Sequence, residues 1–347
     1  MAESTRGVAP LRLHLNENTG GCSPAVLEAI RSIDRLDAAC YPDYETATAA
    51  CERWLGVPAG WVQLTNGLDE GLHLVAQLAR RMADARGVQK PEAIVVEPAF
   101  EMYAVCSEAA GVTPRPIPPA PGFRFPIDAL LAAINDKTCA IFLTDPNNPT
   151  GLGIPSGTIE QVLQAAPNAV VLLDEAYADF SGRTSIGPLL DRHRHLIVGR
   201  TFAKGHGIAG LRVGALVGHP ETLSPIRRLM PPFSVNAIAA RALAAALKDR
   251  AYLDAYVAES VKSRELIYSW CRQRELTCWP SEGNFVLIRV GDRVRDVVKH
   301  LASHGILIRD RSTAPGCEGC LRITAGLVEH TSACLRAMED VLAARAR

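Results

Sequence analysis

The residues best suited to chemistry in this 347-residue sequence lie in one glycine-rich turn, Arg200-Thr201-Phe202-Ala203-Lys204-Gly205-His206-Gly207-Ile208-Ala209-Gly210-Leu211-Arg212. The turn follows an apolar run at 195–199 that reads as a buried strand, so Lys204 stands just beyond a strand end. A lysine amine attacks a carbonyl only when it is unprotonated, which requires desolvation or a neighbouring cation. Arg212 is the cation this stretch offers. Taken alone, Lys204 fits a solvated loop equally well, because exposure is the ordinary fate of lysine. Its weight depends on the rest of a site being present elsewhere.

Three other places supply parts. The run at 169–173 is apolar throughout, as expected for a parallel strand buried on both faces, and it ends in Asp174-Glu175-Ala176-Tyr177. Ligands of open α/β sheets sit beyond the carboxyl ends of the strands, which would aim Asp174 into a site. A second strand at 139–143 ends in Thr144-Asp145-Pro146-Asn147-Asn148-Pro149-Thr150-Gly151, a loop stiffened by proline in which Asn148 offers an amide. Finally, Thr65-Asn66-Gly67 leads into a helical pattern over 68–82. With Asn66 or Thr65 as cap, the N–H groups of Gly67, Leu68 and Asp69 would form an anion site reinforced by the helix dipole.

Two competing motifs need weighing. Gly205, Gly207 and Gly210 spell G-x-G-x-x-G after a strand, with Glu221 at a tolerable distance for a ribose contact. That dinucleotide fingerprint also needs a helix to open at its third glycine. Here 211–218 is β-like and interrupted by glycine, which argues against it. Cys317, Cys320, His330 and Cys334 could be written as zinc ligands, but His330 and Cys334 fall on one helical pattern, 329–346, and a β-like run separates them from the other two. A zinc ribbon shows two tight pairs instead. No metal is expected, and the ten scattered cysteines read as reduced thiols.

Taken in chain order, the blocks Asn16-Glu17-Asn18, Tyr41-Pro42, Asn66 with Gly67 to Glu70, Pro98-Ala99-Phe100-Glu101-Met102-Tyr103, Pro146 with its loop to Gly151, Asp174 to Tyr177, Arg200 to Arg212 and Leu321-Arg322-Ile323-Thr324 resemble the pyridoxal 5'-phosphate enzymes of fold type I. The resemblance is to the class I/II aminotransferases, and within them to the histidinol-phosphate aminotransferase branch, over residues 16–326. It implies an α/β fold with a mostly parallel central sheet flanked by helices and a smaller α+β domain. It also implies that Lys204 carries the cofactor as a Schiff base and moves the substrate proton, that Asp174 pairs with the pyridinium nitrogen, and that Asn148 and Tyr177 bond the cofactor O3'. Thr201, Arg212 and the turn of Gly67, Leu68 and Asp69 would hold the phosphate, while Phe100 would stack on the pyridine. Tyr41 would reach across a homodimer interface to the phosphate of the other subunit. Asn16, Arg309 and Arg322 would bind substrate, with Arg322 forked onto its anionic group.

The sequence departs from that pattern at three places. Ala203 stands where the family usually has serine, which removes one phosphate hydroxyl, and Phe100 stands where the branch often has tyrosine. None of the fifteen residues before Asn16 is tyrosine, although the branch commonly uses one there to bind the substrate phosphate. The expected reaction is transamination of histidinol phosphate with 2-oxoglutarate. An aromatic or other amino-acid aminotransferase and a threonine-phosphate-type decarboxylase are the alternatives.

The elements that must position these residues are ordinary. A composition 48% hydrophobic and 21% charged suits a globular chain long enough for two domains. The expected division is 1–40 as a segment joining the small domain, 41–245 as the large cofactor-binding domain and 246–347 as the small α+β domain. Formal net charge is zero with no basic cluster, so neither nucleic acid nor an anionic membrane is an expected partner. With no leader-like or membrane-length apolar run, the expectation is a cytoplasmic protein acting on small molecules. Other expectations are a helix from Ser23, a proline-rich loop over 114–126, a long helical region over 237–274 and a strand over 305–309.

Overall fold

The computed structural model describes residues 9–343, so the last residues of the helix expected over 329–346 lie outside the described residues. In chain order the strands are β1 Leu11–Arg12, β2 Val62–Thr65, β3 Glu92–Val96, β4 Thr113–Ile117, β5 Thr138–Thr144, β6 Val170–Asp174, β7 Leu196–Thr201, β8 Gly214–Gly218, β9 Thr277–Cys278, β10 Phe285–Arg289, β11 Ile306–Leu307, β12 Arg309–Asp310 and β13 Cys320–Thr324. Seven of them form the central sheet in the order β2-β8-β7-β6-β5-β3-β4. The pairings among β4, β3, β5, β6 and β7 are parallel, and β8 runs antiparallel to both β7 and β2.

The continuous apolar runs of β5, β6 and β7 follow from helices covering both faces. Successive side chains of a strand point to opposite sides. Accordingly Ile141, Leu143, Val171, Leu173 and Val198 enter one core, and Ala140, Phe142, Val170, Leu172 and Ile197 enter the other. Parallel strands joined by crossovers present their carboxyl ends together, and that edge carries the site.

A second, antiparallel sheet has the order β12-β13-β10-β9. Its core contains Ile288, Leu321, Ile323, Val297 and Met338 together with Leu13, because β1 pairs in parallel with β11. The opening segment therefore packs here first. Further on, Ser23 caps the helix Pro24–Arg31, its Oγ accepting from the Val26 N–H, and Val26 is buried in the central-sheet core.

Three local expectations change. The loop expected over 114–126 begins as β4, whose Pro114 and Pro116 are tolerated because it is an edge strand with no neighbour on its outer side. The helical region over 237–274 is two helices, Ala237–Ala246 and Arg250–Gln273, the second capped by Asp249. The strand expected over 305–309 splits into β11 and β12, which belong to different sheets. The glycine fingerprint fails for the expected reason: Ala209–Leu211 is one 3-10 turn leading to β8, so no helix opens at Gly210.

Candidate active site

Three strand carboxyl ends and the start of one helix converge on a cavity of about 330 Å³. Asp174 closes β6, Lys204 follows β7, Asn148 follows β5, and Leu68 and Asp69 open the helix Gly67–Ala85. Lys204 donates from Nζ to the Leu15 carbonyl at 2.9 Å. Burial, and then the Arg322 guanidinium, lower its pKa to about 8, so a useful fraction of the amine is unprotonated near neutrality. The expectation that Arg212 supplies this cation is corrected. Arg212 turns instead to the Asp69 carboxylate at 2.9 Å and the Ala209 carbonyl at 3.2 Å.

The end of β7 is anchored below the turn. Arg200 is buried and bridges Glu175 at 3.1 Å and Asp179 at 2.7 Å, which fixes where the Lys204 loop begins. Asp174 is buried as well, and desolvation pushes its carboxyl up to about 6 against hydrogen bonds from the Tyr103 hydroxyl at 2.7 Å and the Ala176 N–H at 2.9 Å. Among the described residues no cation is bonded to that carboxylate. Tyr103 also lies 2.8 Å from the Thr144 hydroxyl and edge-on to Phe100, ring centroids 6.0 Å apart.

At the helix start neither expected cap is present. Asn66 makes no side-chain cap bond, its own N–H donating to Glu70 at 2.6 Å, and the Thr65 hydroxyl is buried without a partner. First-turn N–H groups have no intrahelical acceptor, so they stay available to an anion. Gly67 is required here: its φ is +71°, and a Cβ would come within 2.5 Å of Arg212 Nη2. Arg212 itself sits at φ +55°, which turns its guanidinium over that helix start. Thr201 lines the same corner and accepts at Oγ1 from the Ala203 N–H at 3.2 Å.

On the opposite wall, Tyr177 is buried and accepts from Asn16 Nδ2 at 3.0 Å. Asn16 is held in turn by Thr324 Oγ1, which accepts from its N–H at 3.1 Å, and by Asn284. Arg322 is buried and donates to Asn148 Oδ1 and to the His14 carbonyl at 2.7 Å. Burial, and then nearby Arg311 and Arg309, lower its pKa to about 10, where it remains charged at neutral pH. Arg309 stands directly opposite Arg322 across the β12/β13 ladder and also lines the cavity.

Tyr41 is the site residue this chain does not bring in: it is 78% exposed and stacks on Phe233 at 4.2 Å, away from the cavity. Reasoning from sequence missed Tyr103, Glu101 and Arg311, although Tyr103 lies one helical turn after Phe100 and Arg311 two residues after Arg309. Cys317 and Cys320 pack around Leu287, whereas Cys334 belongs to the core that includes Ile323 and Met338. Among the described residues no group of His, Cys, Asp or Glu could hold a metal.

A buried carboxylate without a cation, an aromatic ring, an amine of lowered pKa and an uncapped helix start with an arginine over it match the parts of pyridoxal phosphate. They suit its pyridinium, its ring, its aldehyde and its phosphate respectively. Fold and site together define a fold type I pyridoxal phosphate enzyme. The chain belongs to the class I and II aminotransferases, whose family model matches residues 9–336. It is 35% identical to histidinol-phosphate aminotransferase 1 of Thiobacillus denitrificans over 96% of this chain and 86% of that protein. It is 34% identical to histidinol-phosphate aminotransferase 2 of Ralstonia nicotianae over 96% and 89%. The crystal structure of histidinol-phosphate aminotransferase from Sinorhizobium meliloti in complex with pyridoxal-5'-phosphate aligns with a TM-score of 0.85 at 27% identity, covering 96% of this chain and 91% of that one. The protein is a pyridoxal phosphate-dependent aminotransferase.

Proposed function

We propose that the reaction is transamination of histidinol phosphate with 2-oxoglutarate, giving imidazole acetol phosphate and glutamate. The observation that carries this reading is the pair Arg309 and Arg322, opposed across β12/β13 on the wall of the cavity that holds Lys204, where a phosphate ester or carboxylate would be gripped. Bound pyridoxal phosphate supplies the electron sink that makes the substrate Cα–H acidic. Lys204 would hold the cofactor through its amine, and Nζ is the base that would take the substrate Cα proton. Asp174, an ionised carboxylate at neutral pH, keeps the pyridine nitrogen protonated. Asn148 and Tyr177 would bond O3', Phe100 would cover the ring, and Thr201, Arg212 and the N–H groups of Gly67, Leu68 and Asp69 would take the phosphate. Asn16 orients Tyr177 and borders the substrate.

The enzyme works as a homodimer in which exposed Tyr41 completes the phosphate site of the partner. We assign the large unit to 41–245, the small one to 246–347, and 1–40 to a segment that joins the small unit. Ten free cysteines suit a reducing compartment, and we place the protein in the cytoplasm. That residues 1–15 contain no tyrosine favours one second reading, an aromatic amino-acid aminotransferase.

The visible spectrum of the purified protein tests both. Histidinol phosphate should shift a band that is lost in Lys204→Ala. A response to aromatic amino acids and glutamate, with none to histidinol phosphate, would move the enzyme to the second reading. Product analysis separates either from a decarboxylase.

A further inference from the structure

Arg309 and Arg311 are two residues apart, Arg309 is directly opposite Arg322, and all three line the cavity. Alternation along an extended strand puts them on one face, so three guanidinium groups share one wall. Like charges directly opposed destabilise a ladder, and the burial of Arg322 and Arg311 adds to that cost. One carboxylate meets the group: Glu101 accepts from Arg311 Nη1 at 3.0 Å. Among the described residues no ion pair is recorded for Arg309 or Arg322, although the Arg322 guanidinium is buried.

The two members of the Glu101–Arg311 pair are unlike. The Arg311 side chain is 9% exposed and its Nε is buried without a hydrogen-bond partner, whereas Glu101 is 60% exposed. Glu101 also lies immediately after Phe100, just before the helix Met102–Ala109, and can swing into water without disturbing a core. Arg311 is fixed, its N–H donating to the Cys320 carbonyl at 3.0 Å. A rigid cation with donors unused, covered by a removable carboxylate, is suited to exchanging that carboxylate for a ligand anion.

We propose that Arg311 is a specificity-determining residue that binds the phosphate dianion of the substrate, with Glu101 occupying its place until substrate enters. The proposal rests on the phosphate-ester reading above. It gives the site a third cation for a doubly charged group, and it explains the excess positive charge on that wall. Glu101 would repel the incoming phosphate until displaced, which disfavours weakly charged competitors for Arg311.

The test uses the cofactor-loaded enzyme and compares histidinol phosphate with histidinol, which lacks the phosphate, through dissociation constants and single-turnover rates read from the visible band. Arg311→Gln should weaken histidinol phosphate by about 10- to 100-fold, the loss expected for a charge-assisted hydrogen bond, and should weaken histidinol far less. Glu101→Gln removes the competing anion and should tighten histidinol phosphate several-fold without changing histidinol. Parallel weakening of both compounds in Arg311→Gln, or no change in either, would make the pair a structural tie and overturn the proposal. Should Arg311→Gln fail to fold, Glu101→Gln decides alone, since losing a structural tie cannot tighten one ligand selectively. Wild-type enzyme that responds to glutamate and ignores histidinol phosphate would overturn the reaction assignment, and this proposal with it.

Discussion

Asp174 shows how the site works against the stability of the empty fold. The carboxyl is buried beside Tyr103 with no cation, and its pKa rises from 3.8 to about 6. A pKa raised in the folded state means that the protonated form stabilises the fold below the unfolded value, and that this contribution is lost as pH rises through the folded value. The cofactor-free protein should therefore lose about 1 kcal/mol of unfolding free energy between pH 5 and pH 7 through this group, given roughly 1.4 kcal/mol per pKa unit. Denaturant titrations of wild type and Asp174→Asn at the two pH values check it: the loss should be absent from the variant, and an equal pH dependence would refute the assignment. With cofactor present the same charge is needed, so Asp174→Asn should lower activity by at least ~10². Both the apolar strand and the acid at its end could be read from sequence, but the Tyr103 hydroxyl that fixes the carboxylate could not, because β6 and the helix Met102–Ala109 meet only after folding.

The helix Gly67–Ala85 carries an argument of its own. Its start is uncapped, twisted to positive φ at Gly67 and overhung by Arg212. Adding a methyl at Gly67 costs roughly 1 to 2 kcal/mol in the left-handed region and places a carbon 2.5 Å from Arg212 Nη2, so the guanidinium must leave the helix start. Gly67→Ala should weaken pyridoxal phosphate binding at least ~10-fold in equilibrium titrations and leave the helical circular dichroism unchanged. Wild-type affinity in that variant would show that this turn does not hold the phosphate. Gly67 was legible in the sequence as one of the N–H donors at the helix start. The failure of Asn66 to cap was not, because Glu70 takes its N–H and the alternative acceptor is decided by side-chain geometry.

At the scale of the molecule, the cavity lies between the two sheets: Asn148 from the central-sheet side meets Arg322 of β13, and the Glu282 N–H donates to the Gly151 carbonyl at 2.8 Å. Gly151 permits this contact, since a Cβ there would lie 2.2 Å from Ser281 Oγ. Tyr41 is exposed and stacked on Phe233. If it completes the partner's site, mixed dimers of Lys204→Ala with Tyr41→Phe should contain one site with both defects and one with neither. Activity should then recover to roughly a quarter of wild type on random mixing of equal amounts, half the dimers being mixed with one intact site each. Recovery no greater than that of separate homodimers would place Tyr41 outside the site.

What the sequence determined by itself was the set of parts and the frame: apolar runs that can only be doubly covered strands, their acidic, amide and lysine ends, and a glycine-rich turn that continues into a strand. These are local properties, written in periodicity and composition. Tertiary structure decided the pairings between distant parts. The cation beside Lys204 is Arg322 and not Arg212, because the second sheet packs its β13 arginine against the lysine while Arg212 turns to Asp69. Likewise Arg311 joined the site only because β12 pairs antiparallel with β13, and Glu101 met it from more than two hundred residues away in the chain. Spacing along a chain carries no record of which side chains burial will force to share a cavity, and it is burial there that sets their charge.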